Sequence, residues 1–399
     1  MNGGNGFGKA GLERLRRTMA GHVEAGRLPG AVTVVERHGE THVDAVGTAE
    51  LGGGPPVRRD TIFRISSMTK PITAVAALIL VEECLLRPDE PVDRLLPELA
   101  DRRVLRAPDA EIGDTVPARR PITVRDVLDF RLGLGMILDE AAFGYPFFRA
   151  AQELGISGFG PPDPALPHAP DEWLRLLATL PLVDQPGERW TYNIGSYLQS
   201  ILVERASGRP FPDFLRERIF EPLGMKDTGF QVPAADIGRF TAAYGAAEGG
   251  TLELHDPREG SAWASAPAFP DGAGALVSTA DDYLAFARML RGRGAYRGTR
   301  ILSRRSVELM TSDRLTPEQS RQSFGGVNGW GHGVAVGLRR ENVWDTPGRY
   351  GWDGGMGTSW YTDPEEDLVG ILLTQRLEFP ADNPVWLDFW TSVYTALDG

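Results

Sequence analysis

Cysteine, histidine and lysine are all scarce in this 399-residue chain. The single cysteine, Cys84, excludes an internal disulfide, and its apolar surroundings predict a buried side chain. The six histidines show neither the H-E-x-x-H pattern nor the paired Cys/His spacing of zinc sites, so we predict no metal site. No glycine-rich nucleotide loop stands between a strand and a helix, and we therefore predict no organic cofactor.

Clusters of positive charge and long uninterrupted apolar runs are also missing. The net charge is −12 and the basic residues are scattered among acidic ones, which argues against a nucleic-acid partner. The longest apolar run contains Glu82 and Glu83, so it does not predict a membrane span. The first residues lack the apolar core of a signal peptide. We expect a cytoplasmic protein with neither a nucleic-acid nor a membrane partner.

Hydrophobic patterns place strands towards both ends of the chain and helices between them. Residues 10–26 have helical spacing, and two β-branched runs around residues 37–40 predict a β-hairpin. Residues 358–376 predict a second hairpin, and residues 383–399 predict a closing helix. The predicted fold class is therefore α+β, with one antiparallel sheet built from both chain ends, flanking helices and a large α-rich insertion.

The length of the chain exceeds the usual size of one compact core, which favours two subdomains. We predict a flexible N-terminus over residues 1–8 and an α/β subdomain formed by residues 9–66 and 271–399. A mainly helical subdomain would comprise residues 67–270, with the active site at the junction.

One of the three lysines, Lys70, stands three residues after Ser67 at the start of an apolar segment with helical spacing, 71–86. A serine hydroxyl needs an adjacent base to become a nucleophile, and a lysine with lowered proton affinity can be that base, whereas an arginine keeps its proton. Residues three apart on a helix lie on one face. The alternative is that Ser66 or Ser67 only caps the helix and that Lys70 is a solvated residue of the first turn.

Two further stretches complete a candidate site. Tyr192 is expected in a loop that enters a helix, where a phenol could relay a proton, although a tyrosine in the core is the alternative. Residues 350–364 contain several glycines within a predicted strand, where missing side chains would let a substrate approach the backbone. A glycine-rich bend between two strands is the alternative there.

These three stretches, in this order, resemble the serine β-lactamase and penicillin-binding-protein-like superfamily. The similarity is greatest to its class C-like branch, which includes the family VIII carboxylesterases, and extends from about residue 28 to about residue 376. It also covers the segments "PGAVTVVERHGE", "FRISSMTKPITAVA", "PGERWTY", "IFEPLGMKDTGF", "GAGALVSTADDYLAFARML" and "GTSWYTDP". The resemblance implies a β-lactamase-like serine hydrolase fold.

By this resemblance Ser67 is the acylated nucleophile, and Lys70 and Tyr192 form its proton-transfer pair. The backbone N–H groups of Ser67 and Gly355 would form the oxyanion hole. Whether the lysine or the tyrosine is the general base stays open.

The sequence departs from the family pattern where substrates bind. The triplet Trp352, Asp353 and Gly354 occupies the position of the family's Lys-Thr-Gly or His-Ser-Gly, so a positive group that often binds a substrate carboxylate is lost. We expect these three residues to bind substrate. Asp353 would repel a carboxylate if it faced the site, or would pair with an arginine such as Arg349.

Three more residues are expected to contact substrate. The family's Tyr-x-Asn has an amide side chain two residues after the tyrosine. This sequence lacks an amide at that position, and Asn193 could compensate for the loss. Phe130 and Tyr145 could line an acyl or alcohol pocket, with a place in the core as the alternative.

We therefore expect a serine hydrolase that cleaves small carboxylic esters, with a small-molecule ester or amide as its only predicted partner. A β-lactamase or D-amino-acid peptidase, or an acyltransferase that uses the same acyl-serine chemistry, stays open as an alternative. A catalytically silent binding protein on the same scaffold is a further alternative. The sequence leaves the oligomeric state open.

Overall fold

The fold is seen in a computed structural model that describes residues 6–138, 140–156, 163–247, 251–378 and 383–398. Its strands are, in chain order, β1 (Gly30–Arg37), β2 (Glu40–Gly47), β3 (Phe63–Arg64), β4 (Arg103–Leu105), β5 (Thr115–Pro117), β6 (Ala243–Ala246), β7 (Leu252–Asp256), β8 (Val277–Ser278), β9 (Ala295–Tyr296), β10 (Thr299–Arg300), β11 (Asn328–Trp330), β12 (Ala335–Gly337), β13 (Tyr350–Gly354), β14 (Thr358–Asp363), β15 (Leu368–Leu373) and β16 (Arg376–Leu377). Its helices are α1 (Lys9–Glu24), α2 (Thr69–Glu82), α3 (Val124–Leu128), α4 (Pro146–Glu153), α5 (Pro170–Thr179), α6 (Ile194–Ser207), α7 (Phe211–Leu215), α8 (Glu221–Leu223), α9 (Ala280–Arg291), α10 (Arg304–Met310), α11 (Pro317–Phe324) and α12 (Pro384–Tyr394).

Strands from the two ends of the chain form one seven-stranded sheet with the order β11-β12-β13-β14-β15-β1-β2. All neighbouring strands in it are antiparallel. Val34 of β1 pairs with Ile371 of β15 on one side and with Val43 of the edge strand β2 on the other. The structure confirms the predicted α+β class and the shared sheet.

The sheet is covered on both faces, and successive residues of a strand point to opposite faces. On β1, Ala31 and Val35 join the hydrophobic cluster that includes residues of α1 and α12. Val32 and Val34, on the other face, join the main core with residues of α2 and α9. Burial on both faces explains why β1 reads as a nearly continuous apolar run.

Helix α2 runs through the main core and carries the candidate site at its beginning. Residues 69–80 of this helix are all buried, in keeping with its largely apolar sequence. It packs along α6, and the turn that precedes it contacts β13 and β14. The start of α2 therefore lies where the helical region meets the sheet.

Helix α2 ends at Glu82, earlier than the predicted residue 86, and this corrects the expectation for Cys84. The N–H of Cys84 donates to the carbonyl of Val81 and the N–H of Leu85 to that of Leu80, which is a Schellman ending. Cys84 takes the left-handed position of that motif, with φ 60°. It is exposed, and not buried as the apolar sequence around it suggested.

At the N-terminus, Phe7 forms a bridge with Leu397 and is 2% exposed, so this part of the expected flexible start is packed. Residues 1–5 lie outside the described part of the chain. The division into two subdomains stays a prediction. No helix in the described ranges is both long and apolar enough to cross a bilayer.

Candidate active site

Ser67 lies in a 3-10 turn, Ser66–Met68, that leads directly into α2. Within residues 61–80, all of which the structure describes, Ser67 is the one residue that is not buried. The preceding Ser66 has φ 48°, a left-handed conformation that residues other than glycine adopt at an energetic cost. The turn therefore presents the Ser67 hydroxyl at the surface of an otherwise buried segment.

The end of β13 and the start of β14 hold the backbone of the residues that precede Ser67 in sequence. The Thr358 hydroxyl donates to the carbonyl oxygen of Ile65, with the two atoms 3.0 Å apart. A Cβ atom at Gly354 would collide with both of these groups, so the missing side chain admits the Ile65 backbone. A contact between substrate and the Gly354 backbone stays a prediction. Gly355 is exposed, and a Cβ placed there would lie 3.8 Å from the Ser66 hydroxyl.

Lys70 is completely buried and its ammonium group points at Ser67. Its Nζ lies 2.9 Å from the Ser67 Oγ and 2.7 Å from the carbonyl oxygen of Ala273. Burial lowers the pKa of Lys70 to about 7, against a smaller upward effect of the Asp271 carboxylate. The alternatives of a solvated Lys70 and a capping serine do not hold, because α2 has no side-chain N-cap bond.

Tyr192 brings a phenol to the same point from the loop before α6. Its ring centroid lies 4.5 Å from the Lys70 Nζ. The Trp352 indole N–H donates to the Tyr192 oxygen over 2.9 Å. Desolvation raises the pKa of Tyr192 above its usual range, although the bonds to Ser67 and Trp352 act in the opposite direction. Tyr192 thus carries its proton at neutral pH.

An aromatic cluster supports the Tyr192 ring from behind. Its members besides Tyr192 are Phe130, Trp190, Phe324, Trp330 and Trp352. Phe130 is 0% exposed and its ring centroid lies 5.1 Å from that of Trp330. It therefore belongs to the core and does not line a pocket, which corrects its assignment as a substrate contact. Trp330 and Phe324 were not identified from the sequence, because nothing in their local pattern points to the site.

Trp352 and Asp353 are neighbours on β13, and their side chains point to opposite faces of the sheet. Asp353 accepts hydrogen bonds from the Ser359 hydroxyl, the Tyr361 hydroxyl and the Trp386 indole at 2.6, 2.9 and 2.7 Å. The Asp353 carboxylate is therefore held on the face away from Trp352, and its contact with substrate stays a prediction. Desolvation raises its pKa, with these three bonds and the nearby Arg349 charge acting against the rise.

Asn193 follows Tyr192 in a strained turn. Its φ of 81° and ψ of −56° and the bond from the Ile194 N–H to the Tyr192 carbonyl define a tight γ-turn. Such strain is commonest where a function requires one conformation. Asn193 is 7% exposed, and its contact with substrate stays a prediction. Tyr145 precedes α4 and packs against the main core, and its place in a pocket also stays a prediction.

Asp271 is a residue of the site that the sequence did not reveal. It is 1% exposed and belongs to the turn that supplies the carbonyl acceptor of Lys70. Burial raises its pKa to about 6, with the turn's N–H groups and the Lys70 charge acting against the rise. The sequence "DGAG" around it indicates a tight turn, but nothing local connects it to a lysine 201 positions earlier.

A cavity of about 370 Å³ is lined by Ile137, Leu138, Arg189, Trp190, Gln322 and Ser323. Met136, which precedes this lining, exchanges two backbone hydrogen bonds of 2.8 Å with Tyr192. The Trp190 ring centroid lies 5.7 Å from that of Tyr192. The volume falls within the range of small-molecule sites. The lining combines apolar surface with one guanidinium, one amide and one hydroxyl.

Comparison with known sequences agrees with this geometry. A sequence model of the family described as Beta-lactamase matches residues 15–394. The chain belongs to the beta-lactamase family. This confirms the resemblance inferred from the motifs and the β-lactamase-like fold that it implied.

Three relatives cover nearly all of this beta-lactamase family chain. Protein Rv1367c of Mycobacterium tuberculosis is 40% identical, over 88% of this chain and 87% of its own. Esterase EstB of Burkholderia gladioli is 32% identical, over 92% of this chain and 91% of its own. The solved structure of EstCE1, titled a hydrolase with promiscuous acyltransferase activity, has a TM-score of 0.78 at 26% identity and covers 97% of this chain and 99% of its own.

The chain is thus a member of a family of serine hydrolases and acyltransferases that share this fold. As for metal ligands, the part of the chain that the structure describes holds no group of three or more His, Cys, Asp or Glu side chains placed to bind an ion.

Proposed function

We propose that this protein is a carboxylesterase that forms an acyl-enzyme on Ser67. The observation that carries the proposal is the placement of the wholly buried Lys70 Nζ 2.9 Å from the Ser67 Oγ. With a pKa of about 7, a large share of the Lys70 side chains are neutral amines at neutral pH. A neutral amine can accept the proton of the attacking hydroxyl, as a general base must.

The electrostatics favour Lys70 over Tyr192 as that base. A pKa raised above its usual range leaves Tyr192 as a phenol, which has no free negative charge with which to take up a proton. As a phenol it is instead a proton donor, placed with its ring beside the Lys70 amine. We assign it the role of passing a proton to the leaving alcohol.

The reaction has two steps. In the first, the Ser67 Oγ bonds to the ester carbonyl carbon, its proton moves to the Lys70 Nζ, and the carbon–oxygen bond to the alcohol breaks as Tyr192 protonates that oxygen. The Tyr192 phenolate recovers a proton from the Lys70 ammonium. In the second, a water adds to the acyl carbon and gives up a proton to the same pair, and the bond to the Ser67 oxygen breaks as the pair returns that proton to it. Free carboxylic acid and free Ser67 result, and the backbone N–H groups of Ser67 and Gly355 would hold the oxyanion.

The substrate we propose is an uncharged ester. Trp352 stands where the family often has a lysine, and its N–H bonds to Tyr192, so this position offers a substrate carboxylate no cation. The relative EstB is named an esterase and is 32% identical to this chain, which supports the same substrate class. The cavity that Trp190 lines has room for an acyl or alcohol group larger than acetyl.

Acyl transfer is the second candidate activity. The structural relative EstCE1 is titled a hydrolase with promiscuous acyltransferase activity. In this chain the cavity of about 370 Å³ that Trp190 lines could hold an acceptor alcohol. An ester product formed after an alcohol is added to the assay would indicate this activity.

The test of the proposal compares short-chain p-nitrophenyl esters with a chromogenic cephalosporin, for the wild type and for Ser67→Ala. Intact mass is recorded directly after mixing, to detect the acyl-enzyme. Ester turnover by the wild type that is lost in Ser67→Ala, together with little cleavage of the cephalosporin by the wild type, supports the proposal that the protein is an esterase. Efficient Ser67-dependent cephalosporin cleavage would contradict the substrate assignment, and no Ser67-dependent acylation by either reagent would contradict the proposal as a whole.

A further inference from the structure

The turn that begins at Asp271 is built around its carboxylate. One oxygen of Asp271 accepts the backbone N–H groups of Ala273 and Gly274 at 2.8 and 2.9 Å. The carbonyl oxygen of Ala273 then points at the Lys70 Nζ, 2.7 Å away. The carboxylate therefore fixes the orientation of the peptide to which Lys70 is bound.

The same turn is wedged between two helices of the core. The Thr73 hydroxyl of α2 donates to the carbonyl oxygen of Gly272 over 2.8 Å. A Cβ atom at Gly272 would lie 2.6 Å from the Thr73 methyl group and 2.8 Å from the Ser196 carbonyl oxygen of α6. Such close packing leaves the Asp271 carboxylate little freedom to move away from Lys70.

Lys70 faces few other ionisable groups. From the loop before α6 it faces Tyr192, and from its own turn it faces Ser67. The segment around Gly333 packs on the Lys70 backbone, and the neighbouring His332 lies 3.0 Å from the Asp129 carboxylate, to which Arg131 also donates. Asp271 is the carboxylate whose charge acts on Lys70, and Lys70 is the cation whose charge acts on Asp271.

We propose that Asp271 is a positioning residue for Lys70, which directs the Ala273 carbonyl at the amine and supplies the buried negative charge that the amine faces. Without that charge, burial would leave the lysine neutral over a still wider pH range. Lys70 would then be a weaker base towards the Ser67 proton. The role of Lys70 as the base rests on the proposed function, whereas the coupling of the two side chains does not.

The composition of the chain makes this coupling directly measurable. Lys9, Lys70 and Lys226 are its three lysines, so lysine labelled with carbon-13 at Cε gives three resonances in a proton–carbon NMR spectrum. The resonance of Lys70 is assigned as the one missing from Lys70→Met. Its chemical shift is followed against pH in the wild type and in Asp271→Asn. The Asn oxygen still accepts the two N–H groups of the turn, so this variant removes the charge and keeps the acceptor.

We expect the Lys70 midpoint near pH 7 in the wild type and a fall of about one pH unit in Asp271→Asn. The matched control is Asp282→Asn. Asp282 is also a buried carboxylate with a pKa raised to about 6, and it accepts the N–H of Asp227 over 2.7 Å in a different loop. This control should leave the Lys70 midpoint unchanged. An unchanged or higher midpoint in Asp271→Asn, or an equal fall in the control, would overturn the proposal.

Activity gives a second readout that a purely structural role would not produce. The midpoint of the acidic limb of the pH profile of kcat/KM should shift to lower pH in Asp271→Asn, by the same number of pH units as the NMR midpoint. The maximal rate should fall as well. A loss that is equal at every pH would indicate a structural effect only and would contradict the proposal. If Asp271→Asn does not fold, Asp271→Ser takes its place, because its hydroxyl oxygen also accepts hydrogen bonds. The NMR titration needs no turnover, so failure of the esterase proposal would leave its result intact.

Discussion

The indole N–H of Trp352 donates to the phenolic oxygen of Tyr192, and the two atoms are 2.9 Å apart. Trp352 stands on β13 where the family often places a lysine or a histidine. In the proposed mechanism, a neutral donor at this position would stabilise negative charge on the phenolic oxygen while the phenol passes its proton to a leaving group. It offers a substrate carboxylate no opposite charge.

Removal of this donor should slow the reaction less than removal of the phenol itself. Tyr192→Phe should lower kcat by roughly 10²–10⁴-fold, because it removes the proposed proton donor. Trp352→Phe keeps an aromatic ring and loses one hydrogen bond, about 1 kcal/mol or roughly fivefold in rate. In the double variant the Trp352→Phe effect should vanish, because its partner is gone. Full additivity of the two effects would show that the bond has no part in the reaction.

Ser67→Ala should abolish ester turnover and leave the melting temperature nearly unchanged, since the Ser67 side chain is partly exposed. The acyl adduct seen by intact mass should disappear with it. Cys84 is exposed and could itself react with activated esters, so Cys84→Ser is the control for off-site labelling. Labelling that persists in Ser67→Ala and is lost in Cys84→Ser would argue against the acyl-Ser67 intermediate.

The pH dependence of kcat/KM should separate the two candidate bases. Lys70 has to be neutral to accept a proton, and its pKa is about 7, so the rate should fall about tenfold per pH unit below pH 7 and stay level above it. If the Tyr192 phenolate were the base, the rate would keep rising beyond pH 10, because the pKa of Tyr192 is raised above its usual value. A profile measured from about pH 5.5 to about pH 10 decides between the two candidate bases. The rate measured with Ser67→Ala at each pH is subtracted as background.

Burial of Lys70 should make the stability of the fold depend on pH. In the unfolded chain Lys70 keeps its proton up to its ordinary pKa of 10.5, whereas in the fold it loses it near pH 7. Between these values the unfolded chain binds more protons, so the free energy of unfolding should rise with pH, by about 1 kcal/mol per unit. Urea unfolding of the wild type and Lys70→Met measures this as a difference. Equal slopes in the two proteins would contradict the lowered pKa.

The cavity that Trp190 lines should determine which esters are accepted. Ser323→Trp would fill part of it and should raise KM for esters with bulky acyl or alcohol groups. Hydrolysis of p-nitrophenyl acetate by the same variant is the control and should change little, because a small ester does not need the cavity. Equal losses for small and bulky esters would place substrate binding elsewhere.

The sequence determined the local chemistry. A separation of three residues brings Ser67 and Lys70 together wherever the chain is helical or in a 3-10 turn, so this contact was foreseen. The β-branched runs towards both chain ends also predicted the shared sheet. Tyr192, the third member, was located by its family motif.

Only the tertiary structure decided which neighbours face the site. Trp352 and Asp353 are adjacent in sequence, yet the pleat of β13 sends the first to Tyr192 and the second towards α12. Phe130 is buried within the aromatic cluster, and Asp271 approaches Lys70 across a separation of 201 residues. Such contacts depend on strand register and on how distant turns pack against α2, which no local pattern specifies. The candidate catalytic residues could therefore be identified from the sequence, whereas their electrostatic environment depends on the assembled fold.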